Sequence, residues 1–336
     1  MRAGLLDEHG GVPRVVDDHP DPARGAAPEG LALVRVRAVP LTPLDVLCAS
    51  GTSYFGAPAL PYVPGVQGVG EVVEAAGLPA GTRVWFPTSA GMTPGDGALA
   101  ELAVVPEADL VRLDAEAPDD TVVASLGLSA MAAWTALRDR GGLRPGERVL
   151  VLGSSGVVGS VAVRSAVLRG ASAVFAAAVE PGAADAATAL GAHGFVPLGG
   201  LDGSDREADV AALAERMRTV VGEVDVVLDP LCGVPASAAA LCLAPHGRLV
   251  NLGSSAGADA TFSSAHLRSG SRSILGFTNN DLTAERRAVA MAEILCHAAA
   301  GQLAVDHEVF GLDDLPAAWE AHRAGRVRGR AVVRIG

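Results

Sequence analysis

A glycine-rich run at residues 153–159 contains the residue types that approach a phosphate group. It reads Gly153-Ser154-Ser155-Gly156-Val157-Val158-Gly159 and follows the short apolar segment Val149–Leu152. Gly156 lets the backbone come close to a pyrophosphate, and Gly159 lets the following helix pack tightly against the preceding strand. The N-terminus of that helix adds N–H donors and the positive end of its dipole. A tight turn without a ligand is the alternative, but the strand–helix–strand series around the run favours a dinucleotide-binding loop.

The next strand of such a site should end in a carboxylate that binds the adenosine ribose of NAD. The predicted strand Ala173–Val179 carries alanines there, at positions 176, 177 and 178. Without that carboxylate one barrier to a 2′-phosphate is gone, so the sequence predicts NADPH as the preferred cofactor, with NADH possible. Glu180 lies just beyond the strand and could either bind the ribose of NAD or cap a helix that starts at Pro181. We favour the cap.

A 2′-phosphate needs a cation, and arginine is the only permanent one that the side chains offer. All 26 basic residues are arginines, because the sequence contains no lysine. Lysine Schiff-base and general-base chemistry are thereby excluded. No arginine adjoins the end of the predicted strand in sequence, which leaves Arg272 and Arg330 as candidates.

The composition excludes several classes of function. A length of 336 residues suits two domains. The net charge of -12 and the scattered arginines argue against a nucleic-acid partner. No uncharged apolar run reaches the ~20 residues that cross a bilayer, and Asp7 and Glu8 interrupt the N-terminus where a signal peptide would be apolar. We therefore expect a cytoplasmic protein with no membrane partner.

The elements around the glycine-rich run divide the chain into two parts. Up to about residue 122, short alternating runs broken by Gly and Pro predict a compact, mostly β domain. From Val149 to Phe277, apolar strands alternate with helices, which predicts a doubly wound parallel sheet. A last strand, Gly329–Ile335, should return to the sheet of the first domain. The fold class is therefore α/β, with domains at residues 1–122 and 123–277 and with residues 278–336 completing the first. The predicted elements include helices Val122–Arg140 and Val234–Leu243 and the strand Arg248–Leu252.

Five segments keep the order of a known family over nearly the whole chain. They are residues 36–45 (VRAVPLTPLD), 61–70 (PYVPGVQGVG), 143–151 (LRPGERVLV), 224–230 (VDVVLDP) and 325–333 (GRVRGRAVV). Together they resemble the quinone oxidoreductase (zeta-crystallin-like) branch of the medium-chain dehydrogenase/reductase superfamily. The resemblance implies a GroES-like, β-rich catalytic domain, a central Rossmann domain, and a homodimer formed through the edge of the Rossmann sheet.

Residue by residue, the resemblance places Thr42, Ser53 and Tyr54 around the nicotinamide ring and the substrate, together with Leu47. Family members commonly carry Asn at the Thr42 position, often Tyr at the Leu47 position, and commonly Thr where this chain has Ala132. These departures imply a less polar site. Tyr54 is the best candidate to donate a hydrogen bond to a substrate oxygen, and a packed aromatic ring is the alternative.

The resemblance also assigns cofactor-facing loops. They are Asn251-Leu252-Gly253-Ser254 after the fifth strand of the Rossmann domain and Phe277-Thr278 after the sixth. Arg330 stands where many relatives carry a Lys near the cofactor. Asp45 is expected to be structural, capping a helix that begins near Val46.

The positions that bind zinc in the alcohol dehydrogenases of this superfamily carry other residues here. Those enzymes need Cys where this chain has Thr42, and Gly-His-Glu where it has Gly65-Val66-Gln67. Neither threonine nor valine offers a thiolate or an imidazole. The four cysteines form no C-x-x-C pair, and the eight histidines do not stand at metal-ligand spacing. The sequence therefore predicts no metal site.

These features predict an NAD(P)H-dependent reductase that transfers hydride to a quinone or an α,β-unsaturated carbonyl compound without zinc. The partner would be a small apolar carbonyl or quinone substrate. Two alternatives stay open. The departures at Thr42, Leu47 and Ala132 suit a redox-neutral enzyme that catalyses elimination, addition or cyclisation on the same fold. A non-catalytic dinucleotide-binding protein is the other alternative.

Overall fold

The chain folds into two units in the computed structural model, which describes residues 1–22, 29–180 and 182–336. The first unit comprises Met1–Leu128 and Thr283–Gly336, and the second comprises Ser129–Leu282. The sequence predicts domain boundaries after residues 122 and 277, compared with boundaries after Leu128 and Leu282 in the structure. The two ends of the chain belong to the same unit.

The strands and helices alternate along the described residues. The strands are β1 (Ala3–Leu5), β2 (Arg14–Val16), β3 (Leu31–Pro40), β4 (Gln67–Glu74), β5 (Arg83–Pro87), β6 (Leu102–Pro106), β7 (Val111–Arg112), β8 (Arg148–Leu152), β9 (Ala173–Ala178), β10 (Gly194–Pro197), β11 (Val224–Asp229), β12 (Leu243–Asn251), β13 (Ser273–Gly276), β14 (His307–Gly311) and β15 (Arg330–Arg334). The helices are α1 (Pro43–Ala49), α2 (Asp120–Thr135), α3 (Val157–Leu168), α4 (Ala183–Ala189), α5 (Arg206–Val221), α6 (Gly233–Ala240), α7 (Ser264–Ser269), α8 (Ala284–Ala299) and α9 (Leu315–Arg323). A π-helical turn, Ala136–Arg140, continues α2.

The first unit is built around a sheet in the order β14-β15-β3-β4-β5-β7. β3 holds it together, because β4 pairs with it on one side while β6 and β15 pair with its two ends on the other. The antiparallel pairing of Val332 with Pro40 confirms that the last strand returns to the first sheet. The core beneath this sheet contains Leu6, Val34, Leu99 and Trp319, all fully buried.

The second unit is a parallel sheet in the order β10-β9-β8-β11-β12-β13. The chain winds outward from β8 in one direction and then from β11 in the other, which confirms the predicted doubly wound arrangement. Apolar residues fill β8 and β9 almost completely, as expected for strands that helices cover on both faces. The strand order reverses between β8 and β11, and ligands of such sheets bind at the carboxyl ends of the strands near that point.

One predicted boundary in the second unit is wrong. The predicted helix Val234–Leu243 ends at Ala240, and Leu243 is already the first residue of β12, five residues before the predicted strand start. Leu243 pairs with Val224 of β11, and the register then shifts, with His246 at a positive φ of 66°. The alanine-rich pattern favours a longer helix locally, but pairing with β11 decides the conformation.

A second difference lies in the predicted helix Val122–Arg140. Gly127 interrupts α2 with φ 32° and ψ -136°, a conformation that is open to glycine and strained for other residues. The break frees the N–H of Leu128, which donates to the side-chain oxygen of Gln67 at 2.8 Å. The indole N–H of Trp85 donates to the same oxygen at 3.0 Å. Gln67 therefore satisfies two buried donors at the kink.

Among the described residues, the stretch Asp120–Arg140 is long and apolar enough to cross a membrane, and 72% of its most apolar window is buried inside the fold. Such burial is typical of a core helix, which passes the same test of length and composition.

Candidate functional site

The glycine-rich run forms the connection between β8 and α3 at the carboxyl end of the parallel sheet. β8 ends at Leu152, Gly153 turns the chain with φ 63°, and α3 begins after Gly156. The backbone N–H of Ser154 donates to Ala177 of β9 at 3.0 Å, which fixes the loop against the neighbouring strand. Ser154 is only 5% exposed, and among the described residues its hydroxyl finds no hydrogen-bond partner. A buried hydroxyl of this kind suits a ligand that supplies the missing bond.

The two inner glycines of the run have different surroundings. A side chain at Gly159 would drive its Cβ into the carbonyl of Gly153, so only glycine lets α3 lie this close to the loop. A Cβ at Gly156 would meet a single atom within 4 Å, the carbonyl oxygen of Gly153 at 3.5 Å. The space over Gly156 is therefore open to a group outside the polypeptide. With the first N–H groups of α3 beside it, the loop fits a pyrophosphate.

Glu180 is held beside this loop. The hydroxyl of Ser155 donates to Oε2 of Glu180 at 3.1 Å, although 25 residues separate them. The expected cap is wrong, because α4 begins at Ala183 and its N-cap is Gly182, which has no side chain. Pro181, where the helix was expected to start, lies outside the described residues. The structure therefore places Glu180, the acidic residue after β9, beside the glycine-rich loop.

The loops after β11 and β12 are joined by buried Asp229. Its carboxylate accepts bonds from the amide nitrogen of the Asn251 side chain at 2.8 Å and from the backbone N–H groups of Leu231 and Cys232. Burial raises the pKa of Asp229, while these donors oppose the shift. The side chain of Asn251 also donates to the carbonyl of Gly253 at 2.8 Å. The side-chain N–H groups of Asn251, a predicted cofactor-binding residue, are thus already bonded to Asp229 and Gly253 and hold these loops in place.

Other predicted loop residues lie at the same edge of the sheet. Phe277 donates its N–H to the carbonyl of Asn251 at 2.9 Å, and the hydroxyl of Thr278 caps the next turn. A Cβ at Gly253 would lie 2.6 Å from the carbonyl oxygen of Pro230, so the loops after β11 and β12 touch through backbone. Leu252 donates its N–H to Asp229, and Ser254 is exposed.

The two arginines considered for a 2′-phosphate lie elsewhere. Arg272 directly precedes β13 and donates to the carbonyls of Leu243, at the start of β12, and His266. It therefore lies at the amino end of the sheet, opposite the glycine-rich loop. Arg330 belongs to the first unit, is 2% exposed, and donates to the carbonyl of Leu41 at 2.9 Å.

Thr42 and Asp45 form a buried capping box at the start of α1. The helix begins at Pro43, with Thr42 as its N-cap, so the expectation that Asp45 precedes a helix starting near Val46 is wrong in register. Asp45 instead occupies the third position and reaches back to the N–H and hydroxyl of Thr42, at 2.8 and 2.6 Å. Its other oxygen accepts the N–H of Val66 at 2.9 Å. Thr42 therefore donates its hydroxyl hydrogen within the protein.

The pKa values of the buried side chains around this capping box differ from their ordinary values. Burial raises the pKa of Asp45, against the hydrogen bonds from Thr42 and Val66. Burial also lowers the pKa of Arg330 to about 10, while the charge of Asp45 opposes that shift. His322 of α9 makes a hydrogen bond with the Thr42 backbone, and burial together with the charge of Arg330 lowers its pKa to about 4. His322 is therefore neutral at pH 7.

Leu47 lies in α1, and Ser53 and Tyr54 lie in the loop that follows this helix. Ser53 is buried and makes a hydrogen bond with Cys48, whose pKa burial raises to about 11, so Cys48 is a thiol at neutral pH. Tyr54 is 79% exposed, with its ring centroid 4.1 Å from that of Phe55. Leu47 is 40% exposed. Tyr54 is thus not packed into the core of the first unit.

The positions compared with zinc ligands carry structural side chains. Thr42 caps α1, Val66 is buried and apolar, and Gln67 binds Trp85 and Leu128 as described above. In the part of the chain that the structure describes, no three His, Cys, Asp or Glu side chains gather as metal ligands do.

Sequence reasoning missed two residues of these clusters. Asp229 was recognised only as part of a family segment, although a carboxylate that ends a buried strand before Pro230 is a usable signal. His322 had no local signal, because its burial depends on contacts with Thr42 and Arg330, which are distant in sequence.

Known proteins resemble the chain in both units. A family model described as an alcohol dehydrogenase GroES-like domain matches residues 28–115, and one described as a zinc-binding dehydrogenase matches residues 157–294. The human quinone oxidoreductase is 31% identical over 260 residues, which cover 76% of this chain and 73% of that protein.

Two further comparisons concern a longer protein and a solved structure. A protein of the phenolphthiocerol/phthiocerol polyketide synthase of Mycobacterium tuberculosis is 33% identical over 312 residues, 90% of this chain. The chain spans only 13% of the length of that relative. The quinone oxidoreductase of Thermus thermophilus has a TM-score of 0.74 and 30% identity, covering 99% of this chain and 100% of the other.

The two inner glycines of the loop form a matched pair for mutation. Gly156→Val should leave the fold intact, because the residue has an ordinary φ of -80° and open space around its Cβ. It should weaken dinucleotide binding at least about tenfold by filling the space beside the helix N-terminus. Gly159→Val should instead lower the free energy of unfolding by about 2 kcal/mol or more. Urea unfolding and fluorescence titration separate the two effects; unchanged dinucleotide affinity in folded Gly156→Val would contradict the site.

His322 should make stability depend on pH. Its pKa is about 4 in the folded state, below the value near 6.5 of an unfolded chain, so the unfolded state binds more protons between these values. The stabilisation is complete above pH 6.5 and is lost as the pH falls through 4. Relative to His322→Gln, the wild type should lose roughly 2–3 kcal/mol of unfolding free energy between pH 7 and pH 4. Urea unfolding at a series of pH values measures this difference, and parallel curves for the two proteins would disprove it.

Proposed function

Because the chain belongs to the quinone oxidoreductase branch of the medium-chain dehydrogenase/reductase superfamily, we propose that it reduces a quinone or an α,β-unsaturated carbonyl compound with NAD(P)H and without zinc. The predicted fold class, a GroES-like β-rich domain with a Rossmann doubly wound sheet, is confirmed by the two family models and by the strand order. This membership supports the coarser part of the proposal, an oxidoreductase that uses a nicotinamide cofactor. The substrate class and the independence from zinc are the finer part of it.

The glycine-rich loop carries this proposal. Open space over Gly156 and the first N–H groups of α3 lie where the strand order reverses, and Ser154 of the same loop has a buried hydroxyl without a bond to the described residues. We assign the pyrophosphate of the dinucleotide to these groups. When bound, the reduced nicotinamide supplies a hydride to the substrate. The loops that Asp229 and Asn251 hold together form the other wall of this region.

The side chains at the zinc positions support a metal-free reaction. Thr42 and Val66 present no imidazole or thiolate, and Gln67 already binds two buried donors. A quinone or an enone accepts hydride without a Lewis acid, because its carbonyl oxygen needs only hydrogen-bond donors as charge develops. The side chains at these positions therefore suit a quinone or an enone, which can be reduced without zinc.

Tyr54 is the donor that we assign to the substrate oxygen. Its ring is exposed, whereas Thr42 donates its hydroxyl hydrogen to Asp45 and Ser53 is buried beside Cys48. The exposed side chain of Leu47, seven residues before Tyr54, adds apolar surface, which suits a small apolar substrate. In this proposal Thr42 and Ser53 shape the site, and Tyr54 contacts the reacting molecule.

We also propose that the protein is a homodimer. β13 closes one side of the parallel sheet and, among the residues that the structure describes, pairs only with β12, so its outer edge can pair with a second copy. Light scattering should give twice the monomer mass of 33.8 kDa. Hydrogen exchange at the β13 amides should slow as protein concentration rises; a monomer mass at micromolar concentration would rule the dimer out.

Turnover and metal content test the proposed reaction together. With a panel of quinones and enones, nicotinamide absorbance should fall in step with product, and the activity should persist in chelator. Elemental analysis should find far less than one zinc per chain. Tyr54→Phe should lower kcat/KM about tenfold, the contribution of one hydrogen bond to a developing charge, and leave dinucleotide affinity unchanged.

Three results would contradict the proposal. One tightly held zinc per chain, with activity lost on its removal, would overturn the metal-free reaction. Turnover without a change in nicotinamide absorbance would favour the redox-neutral enzyme. Tight dinucleotide binding with no turnover across the panel would favour the non-catalytic protein.

A further inference from the structure

Glu180 is the first polar side chain after β9, the second strand along the chain in the parallel sheet. Ala176, Ala177 and Ala178 at the end of β9 are buried, and the apolar Val179 follows them. The carboxylate of Glu180 then lies beside the glycine-rich loop, where Ser155 donates to it at 3.1 Å. The carboxylate that the strand end lacks is therefore present two residues later.

We propose that Glu180, held by Ser155, selects NADH over NADPH, an inference that rests on the proposed function. The adenosine ribose of a dinucleotide bound to such a sheet lies at the end of the second strand. An ionised carboxylate has about four acceptor sites, so one bond from Ser155 leaves capacity for the two ribose hydroxyls of NADH. A 2′-phosphate replaces one of these donors with a like charge.

A cation near this strand end, Arg216 of α5, already binds backbone, because its guanidinium donates to the carbonyls of Pro197 and Gly199, both at 2.7 Å. The segment from Ala173 to Val196 contains no arginine or lysine. Arg272 lies at the amino end of the sheet, and Arg330 is buried in the first unit. In the described part of the chain, no arginine forms an ion pair with Glu180. The sequence-based preference for NADPH came from the alanines at the strand end, and Glu180 supplies a carboxylate two residues beyond them.

The test compares two variants that lose the same charge. Glu180→Gln removes the carboxylate bonded to Ser155, and Asp185→Asn removes an exposed carboxylate in the first turn of α4. NADH and NADPH are titrated separately into each folded protein, with binding measured by calorimetry. The wild type should bind NADH at least about tenfold more tightly than NADPH, because a hydrogen bond to a charged group contributes this much. Glu180→Gln should reduce that ratio about tenfold, and Asp185→Asn should leave it within about twofold, since its charge is exposed and screened.

Ser155→Ala supplies an independent measurement. It keeps the charge of Glu180 and removes the hydroxyl that holds it, so the preference for NADH should fall by less than in Glu180→Gln. Urea unfolding confirms that all three variants are folded.

The outcomes separate this inference from the proposed function. Tighter wild-type binding of NADPH, or an equal change of the ratio in Glu180→Gln and Asp185→Asn, would overturn the role of Glu180 and leave the proposed function intact. If neither dinucleotide binds the wild-type protein, the proposed function fails and the inference fails with it. The expected ratios of NADH to NADPH affinity in the wild type and the three variants would support both the role of Glu180 and the proposed function.

Discussion

The close contact between α3 and the loop that precedes it is the constraint on which the candidate dinucleotide site depends. Gly159 in the first turn of the helix rests on the carbonyl of Gly153, and no side chain fits between them. This contact sets the N-terminus of α3 directly at the carboxyl end of β8. Because all strands of this sheet are parallel, the loops after β9, β11 and β12 meet at the same edge. Ser155, Glu180 and Asn251 acquire their positions from this arrangement.

The first unit contains a different kind of constraint, a cluster of titratable side chains at the start of α1 in which Asp45 and Arg330 are buried. Asp45 ties the start of α1 to Val66, Asp45 and Arg330 each oppose the pKa shift that burial imposes on the other, and Arg330 lowers the pKa of His322. Burying charges costs free energy unless each is compensated, so removing any one partner leaves the others poorly solvated. The residues expected beside the substrate, Thr42 and Ser53, begin and follow this helix. The position of Thr42 is therefore set by its bonds to Asp45 within the protein.

The sequence predicts the parallel sheet well because its signals are local. Apolar strands, alanine-rich helices and the spacing of Gly153, Gly156 and Gly159 all act within about thirty residues. The errors arise where a distant contact decides. Leu243 joins a strand because Val224 lies beside it, and Gly127 breaks α2 where Gln67 can bind the freed N–H of Leu128. The prediction that Glu180 caps a helix is wrong for the same reason, since the partner of Glu180 is Ser155, which lies 25 residues away. The register of Asp45 is a smaller error, of one helical turn.

The return of β15 to β3 has a consequence for synthesis of the chain. The six strands of the second unit all lie between Arg148 and Gly276, so they leave the ribosome before β15 does. β3 emerges much earlier, yet the part of its edge that pairs with β15, residues 38–40, stays bare until residues 332–334 have left the ribosome. An unpaired strand edge readily pairs with other chains. The second unit can therefore complete its sheet before β15 is available, while the first unit carries an open, association-prone edge until the last strand has emerged.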